Sequence, residues 1–504
     1  MKKYLKTHLF VVLALVFTFS ACDDYLDVNK SPNSQTDAPI GQLLTSATVA
    51  TGFIAGSDVH RFTSILAQQF GGQGTEVAQT REYMRYQLSP SDVNNLWNNY
   101  YAVILADLEV VLQKAGDSSP HYSGIAKLLK AYIFSQVVDL WGDVPFTEAL
   151  QFTAVPYPVY DSSSAVYQQL IAMIDSGIAD LGRSTPLNPG SFDTIYGGDV
   201  TKWVRFGNTL KLRMHMRQSK SNASGTASAV NALLGSSATF IDAVAHNFQH
   251  SFLATSGRQN PIHQFEVNRI DQFFPHENFV EMMNTKEDPR RASYFTPFPY
   301  NSSPATYKGV APVPGAQALN YSRLHTYLRG AATAGPTTVN PDGSIGATAI
   351  TYSGTAPTRM LTAAEYFFIR AEASVRFGSA GDPATHFESG IRASMSMAGV
   401  PESDATAYVN ARLAAFNAAD NAGKIREILE EKYTANYGVP LEAWSDWRRT
   451  GHPTFIVPPT NAALNISGGG VPRILPYALG EQSANPNTPA RSNLASGRVF
   501  WDTP

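Results

Sequence analysis

Cysteine is almost missing: Cys22 is the only one in 504 residues, so no disulfide can form within the chain. An excess of positive charge is missing too. Lys and Arg total 38 against 41 Asp and Glu, a formal balance of -3, which leaves no basic face to displace the counterions of a nucleic acid. No Gly-x-Ser-x-Gly elbow, phosphate loop or dinucleotide fingerprint occurs, and the glycine run from Gly468 reads as a flexible turn. Nor does any uncharged apolar run reach the roughly 20 residues that a membrane-spanning helix needs.

What is present begins with an address. Lys2, Lys3 and Lys6 precede an apolar run from Leu9 to Phe19, and the small residues Ser20 and Ala21 precede Cys22. This is the layout of a cleaved signal peptide. The cysteine at the cleavage point identifies a lipoprotein, in which residues 1–21 are removed and acylated Cys22 holds the chain to membrane lipid. More than one acyl chain gives stable anchoring. Removal of the three lysines moves the formal charge to -6, still mild for this length. The acidic, aperiodic stretch 22–40 reads as a tether.

The chain is long enough for one large or two ordinary domains, and 43% hydrophobic residues can build a core. From 41 to about 240 the apolar spacing is helical. Ile125, Leu128, Leu129, Tyr132, Ile133, Val137, Leu140 and Trp141 fall three and four apart, as do Val166, Leu170, Ile174, Ile178 and Leu181. A third helix starts near Val200 and carries Lys202, Arg205, Lys211, Arg213 and Arg217, read as a solvated or acid-paired face. Residues 241–359 lose the period: prolines recur, with a turn at Asn340-Pro-Asp-Gly and a short β-like run from Gly346 to Tyr352. Helices return over about 360–450. Thr362 with Glu365 makes a capping box, Asp382-Pro383 opens the next helix, and two more run from about Ala422 to Asn436 and from Leu441 to Arg449. The segment 451–504 is irregular. The expected fold class is mainly α, with paired helices of tetratricopeptide type and a loop-rich insertion carrying short strands.

Several segments in this order resemble the SusD/RagB family of nutrient-binding outer-membrane lipoproteins, in its SusD-like branch. They are Cys22-Asp-Asp-Tyr-Leu-Asp-Val-Asn, Leu96-Trp-Asn-Asn-Tyr-Tyr, Asp139-Leu-Trp-Gly-Asp-Val-Pro-Phe-Thr-Glu-Ala and Thr201-Lys-Trp-Val-Arg-Phe-Gly-Asn. Asp288-Pro-Arg, Glu430-Glu-Lys-Tyr, Glu442-Ala-Trp-Ser-Asp-Trp-Arg-Arg, Pro472-Arg-Ile-Leu-Pro-Tyr and Phe500-Trp-Asp follow. The resemblance implies a superhelix with about four tetratricopeptide-like repeats. It also implies capture of an oligosaccharide or peptide at the cell exterior, as a lid on a SusC-like TonB-dependent barrel transporter. Its shared motifs are structural and transfer no ligand residues.

A catalytic reading finds little support. His246 and His250 have the i, i+4 spacing of a zinc helix, with His263 downstream, but Asn247 stands where the general-base Glu belongs. Asp139 and Asp143 could be taken for a glycosidase pair. They sit near a helix end, where carboxylates more often bond the N–H groups of the following turn, here 142–146. Arg448-Arg449 beside Trp444 and Trp447 reads as stacked and ion-paired within the scaffold. No catalytic residue, metal or cofactor is expected.

A glycan site needs an exposed aromatic platform with a hydrogen-bonding rim. Two loop segments offer one: Phe273 and Phe274 with Tyr294, Phe298, Tyr300 and Tyr307, and Phe70 with Arg81, Tyr83 and Tyr86. Either set could instead pack beneath the loops. The leading function is thus nutrient binding, most simply of an oligosaccharide. A surface-tethered glycan or peptide hydrolase and a protein-binding repeat scaffold are the alternatives.

Overall fold

The computed structural model describes residues 38–72, 79–269, 272–300, 302–310, 321–334, 350–459, 465, 469–491 and 493–504. The signal segment, Cys22, nearly all of the tether, the turn expected at 340–343 and the run 346–349 lie outside the described residues.

Helix α1 (Ile40–Ile54) passes without a break through a π-helical turn, Ala55–Val59, into α2 (His60–Leu66). A second π-helical stretch, Asn99–Leu105, joins α3 (Asn94–Asn98) to α4 (Ala106–Ala115). Then α5 (Pro120–Trp141), α6 (Ser163–Leu181), α7 (Val200–Arg217) and α8 (Ala223–Leu234) pack as successive hairpins. The 3.6-residue spacing suggested one broad apolar face for α5, yet the helix is buried nearly all round. It is the central post of the N-terminal half, as expected when an apolar helix is enclosed by several neighbours. Where α5 crosses α6, a Cβ on Gly124 would lie 2.8 Å from the Gly177 carbonyl oxygen, so the close approach of the two backbones depends on glycine.

In the irregular middle, α9 (Pro261–Asn268) and α10 (Glu277–Thr285) are accompanied by antiparallel two-stranded pairs. Strand Phe70–Gly72 pairs with Phe273–Pro275, Phe248–His250 with Thr358–Leu361, and Ala332–Ala334 with Ile350–Tyr352. The second half returns to hairpins: α11 (Ala363–Phe377), α12 (Pro383–Met397), α13 (Glu402–Ala418), α14 (Asn421–Ala435) and α15 (Glu442–Thr450). Sequence spacing gave no sign of α13. It is rich in alanine and buries only Ala405, Tyr408, Val409 and Phe416, too thin a stripe to register as amphipathic.

The motif residues join these parts. Trp141 Nε1 donates to the Pro476 carbonyl (2.8 Å), Trp444 Nε1 to Pro472 (3.0 Å) and Trp501 Nε1 to Asp139 Oδ1 (2.8 Å). The irregular C-terminal segment is thereby laced across α5 and α15. Asp139 also accepts from Tyr167 Oη (2.6 Å) and lies 3.3 Å from Arg217, while Asp143 Oδ1 accepts from the Ser163 N–H (2.7 Å) at the start of α6. The N–H groups of Phe146 and Thr147 are taken by Asp161 instead. Both earlier carboxylates are therefore structural, but they bond distant elements rather than their own following turn. Arg448 stacks on Trp444, 3.6 Å from its ring centroid, and Arg449 is held by Glu372 at 2.6 Å. On α7, Arg205 pairs with Asp242, Lys211 with Asp175, Arg213 with Glu365 and Arg217 with Glu442, while Lys202 lies over the Tyr196 ring, so four of the five cations of the basic flank are acid-paired. No helix among the described residues is long and apolar enough to cross a membrane.

Candidate functional site

Both π-helical stretches face the same cavity. A π turn accommodates an extra residue in a helix and is frequent at functional sites, because it turns side chains out of the ordinary register. Here the first brings Gly56, Ser57 and Asp58 to the wall, and the second begins at Asn99, one turn after Asn95. Across from them stands α9, which Asn260 caps by accepting from the N–H groups of Ile262 and His263, with Pro261 in the first turn. It contributes Gln264, Phe265 and Asn268, with Arg269 following. The cavity, open to solvent on one side, has a volume of about 370 Å³.

The wall combines rings with polar rims. Phe53 is 44% exposed at the end of α1. The Phe265 ring has the guanidinium of Arg61 5.0 Å and that of Arg269 5.4 Å from its centroid, and packs on Phe273 at 4.9 Å. Arg61 is fixed by Asp58, 3.0 Å away. Burial pushes the Asp58 carboxyl up from its ordinary value, and the Arg61 charge works in the opposite direction. Behind the wall, His60 sits between Phe70 (4.8 Å, edge-on) and Phe273 (6.0 Å) with neither ring nitrogen hydrogen-bonded. Burial, helped by Arg61, lowers its pKa to about 3, so the ring is neutral. The arrangement can stack a ring face and hydrogen-bond its edge from several directions. Among the described residues no group of three His, Cys, Asp or Glu side chains is placed to hold a metal ion.

A family model described as starch-binding and associating with the outer membrane matches residues 32–477. The chain belongs to this SusD-like family. Its fold is shared with a SusD homologue from Bacteroides uniformis (22% identity over 93% of this chain and 100% of the other, TM-score 0.76). A SusD/RagB family protein from Bacteroides thetaiotaomicron is similar as well (21%, 92% and 99%, TM-score 0.73), as is a chitin-binding SusD homologue from Flavobacterium johnsoniae (21%, 92% and 98%, TM-score 0.72). The chain matches none of the curated proteins at a significant level.

The aromatic residues singled out in the sequence of this SusD-like protein lie mostly elsewhere than expected. Phe70, Tyr83, Tyr86, Phe273, Phe274 and Tyr294 are buried and offer no open stacking face. The reason is local: the strand Phe273–Pro275 pairs inward with Phe70–Gly72, Tyr83 lies against Phe62 (4.9 Å), the Tyr86 hydroxyl meets Gln68, and Tyr294 stacks on Tyr437 at 4.6 Å. Only Phe273 reaches the cavity, at its inner wall. Phe298, Tyr300 and Tyr307 are partly exposed, and Tyr307 lines a separate pocket with Lys308 and Tyr321. Arg81 is partly exposed on the helix Gln79–Met84. His250 lies buried on a strand, not a helix, and His246 bonds Asp242 at 2.9 Å. Sequence reasoning missed Phe53, Asp58, Arg61, Asn95, Asn99 and Phe265. The paired asparagines of Asn94-Asn95 and Asn98-Asn99, polar beside an apolar helix, were the available signal.

Proposed function

We propose that the protein is a surface-exposed outer-membrane lipoprotein, anchored through acylated Cys22, that binds an oligosaccharide in the cavity beside Phe265 and passes it to a SusC-like TonB-dependent transporter without chemically altering it. The observation that carries the glycan reading is the wall itself. Partly exposed phenyl rings of Phe53 and Phe265 face Asn95, Asn99 and Gln264, all from elements whose backbone is fixed by helix, and Arg269 just past the end of α9. Sugar rings present apolar C–H faces and hydroxyl edges, and such a wall matches both. Membership of a family described as starch-binding and outer-membrane associating points the same way, as does the printed chitin-binding role of one structural neighbour. Binding without turnover fits the roles of Asp139 and Asp143, whose carboxylates are engaged in holding the scaffold together.

Titration calorimetry with malto- and chito-oligosaccharides and with peptides, on the native protein and on Phe265→Ala, tests this reading. Binding of a glycan that weakens about tenfold in the variant supports it; binding of peptides alone overturns it. Isolation from native outer membrane with a barrel partner supports delivery, and isolation alone would undercut it.

A further inference from the structure

Apart from the cavity beside Phe265, with whose wall its grooves share no residue, a loop holds an aromatic ring in the open at a conformational cost. Strands Val144–Pro145 and Tyr160–Asp161 pair antiparallel and close residues 146–159 into that loop. Its base is rigid: Asp161 Oδ2 accepts from the N–H groups of Phe146 (3.0 Å) and Thr147 (2.8 Å), and the Tyr101 hydroxyl donates to the Pro145 carbonyl (2.8 Å). At its tip Leu150 and Phe152 have φ of 64° and 51°. For residues other than glycine that region costs on the order of 1 kcal/mol each. Phe152 nonetheless remains 52% exposed, so only about half of its burial free energy is available to offset that cost.

Phe152 stands as a ridge between two grooves, of about 680 Å³ and 490 Å³, both lined by Ala149, Leu150 and Phe152. The larger lies against α4, α5 and α6. It offers partly buried Leu112 and Met173 with exposed Gln113, Gln151 and Gln169. Its cations are matched: Lys130 pairs with Glu109 and Lys127 with Asp180, both at 2.6 Å. A groove with one exposed ring, amide side chains at its edge and internally balanced charge suits an uncharged polyhydroxylated chain better than an ionic ligand.

We propose that this loop is a second saccharide site, in which Phe152 stacks on a neutral glycan lying in the flanking grooves. It rests on the glycan-binding reading above and extends it. Two separated sites on one chain give a polysaccharide two points of attachment, which multiplies retention without any new contact.

Calorimetry with maltohexaose and chitohexaose, and electrophoresis through gels containing soluble starch or glycol chitin, test it. The native protein is expected to bind two oligosaccharides per chain. Phe152→Ala should bind one and lose at least about tenfold in polysaccharide retention. Phe152→Gly should lose the same site while melting higher than Phe152→Ala, since glycine accepts the backbone conformation that strains alanine. Gln169→Ala should weaken the same site, leaving the other intact. A stoichiometry of one that only Phe265→Ala abolishes overturns the second site and leaves the first reading standing. No binding to any oligosaccharide, neutral or acidic, overturns both. Unchanged glycan binding in Phe152→Ala, with loss of a copurifying barrel partner, overturns the inference by making this face a protein-docking surface.

Discussion

Glu365 turns its carboxylate away from the helix it opens and onto Arg213 of α7, with contacts of 2.9 Å to Nε and 2.6 Å to the terminal nitrogen. Half of the capping box forms, since Thr362 Oγ1 accepts from the Glu365 N–H at 3.2 Å. The other half gives way to a buried ion pair that ties the two helical halves together. Lys432 and Glu442 join it, at 3.7 Å from Glu365 and 3.3 Å from Arg213 respectively. Removing one charge from an isolated buried pair typically costs about 3–5 kcal/mol; here Glu442 still faces Arg213 and offsets part of that loss. Glu365→Gln is therefore expected to lower unfolding stability by up to about 3 kcal/mol in urea titration. Arg213→Met with Glu365→Leu should lose clearly less than the single variant, because no orphaned charge remains at this pair.

Gly52 makes a sterically strict contact. A Cβ built there would lie 2.3 Å from His250 Cβ and 2.4 Å from its Cγ, at the point where α1 crosses the Phe248–His250 strand. Alanine has the better helix propensity, by about 1 kcal/mol. Overpacking of a tight contact costs about 1–3 kcal/mol, and here the clash is with the root of a side chain that has little room to yield. Gly52→Ala should destabilise, and adding His250→Gly, which removes the clashing Cβ itself, should recover part of the loss. An unchanged melting temperature in the single variant would contradict the packing described.

His60 gives a pH signature. Its folded pKa of about 3 is below the ordinary 6.5, so the unfolded chain takes up this proton first. Its contribution is fully present above about pH 6.5 and is lost as pH falls toward the folded value. Burial also lowers His276, to about 4, with the same sign. Stability should drop from pH 7 to pH 4. His60→Leu should make that drop shallower by about 1.4 kcal/mol per pH unit between pH 4 and 6. Because neither ring nitrogen of His60 has a partner, leucine forfeits no hydrogen bond, and stability at pH 7 should hold or rise. An unaltered pH slope in this variant would show that the ring is protonated in the fold.

Much of the helical frame was legible because local signals carry it. Gly378 ends α11 in the left-handed conformation and Asp382 caps α12 through the Thr385 N–H, as their sequence positions suggested. What could not be read was set by distant neighbours. The spacing of α5 gives no hint that it would be enclosed, nor that Asp139 would meet Trp501. The aromatic residues of 70–86 and 273–294 looked like a platform because composition does not say which way a strand faces. Once Phe70 pairs opposite Pro275, those rings point into the core. The cavity depends on two π turns, and no simple residue pattern announces a π turn; its polar residues, Asn95, Asn99 and Arg61, carry meaning only after the helices have been placed.

The cavity also predicts how binding responds to salt. Asp58 offsets Arg61 at 3.0 Å, so of the charged residues on the wall only Arg269 lacks a carboxylate partner among those described. A neutral glycan stacked on Phe265 and bonded by Asn95, Asn99 and Gln264 gains little from that single charge, which exposure to water screens. Affinity for it should change by less than about twofold between 50 and 500 mM salt, and Phe265→Trp should preserve or strengthen it by enlarging the ring face. Arg269→Ala should weaken a neutral glycan only through lost contact with Phe265. A ligand rich in uronic acids would behave differently: affinity would fall steeply with salt, and Arg269→Ala would remove most of it. Measuring both variants against neutral and uronic oligosaccharides at two salt concentrations separates the cases, and a steep salt dependence lost with Arg269 would assign the cavity to acidic glycans.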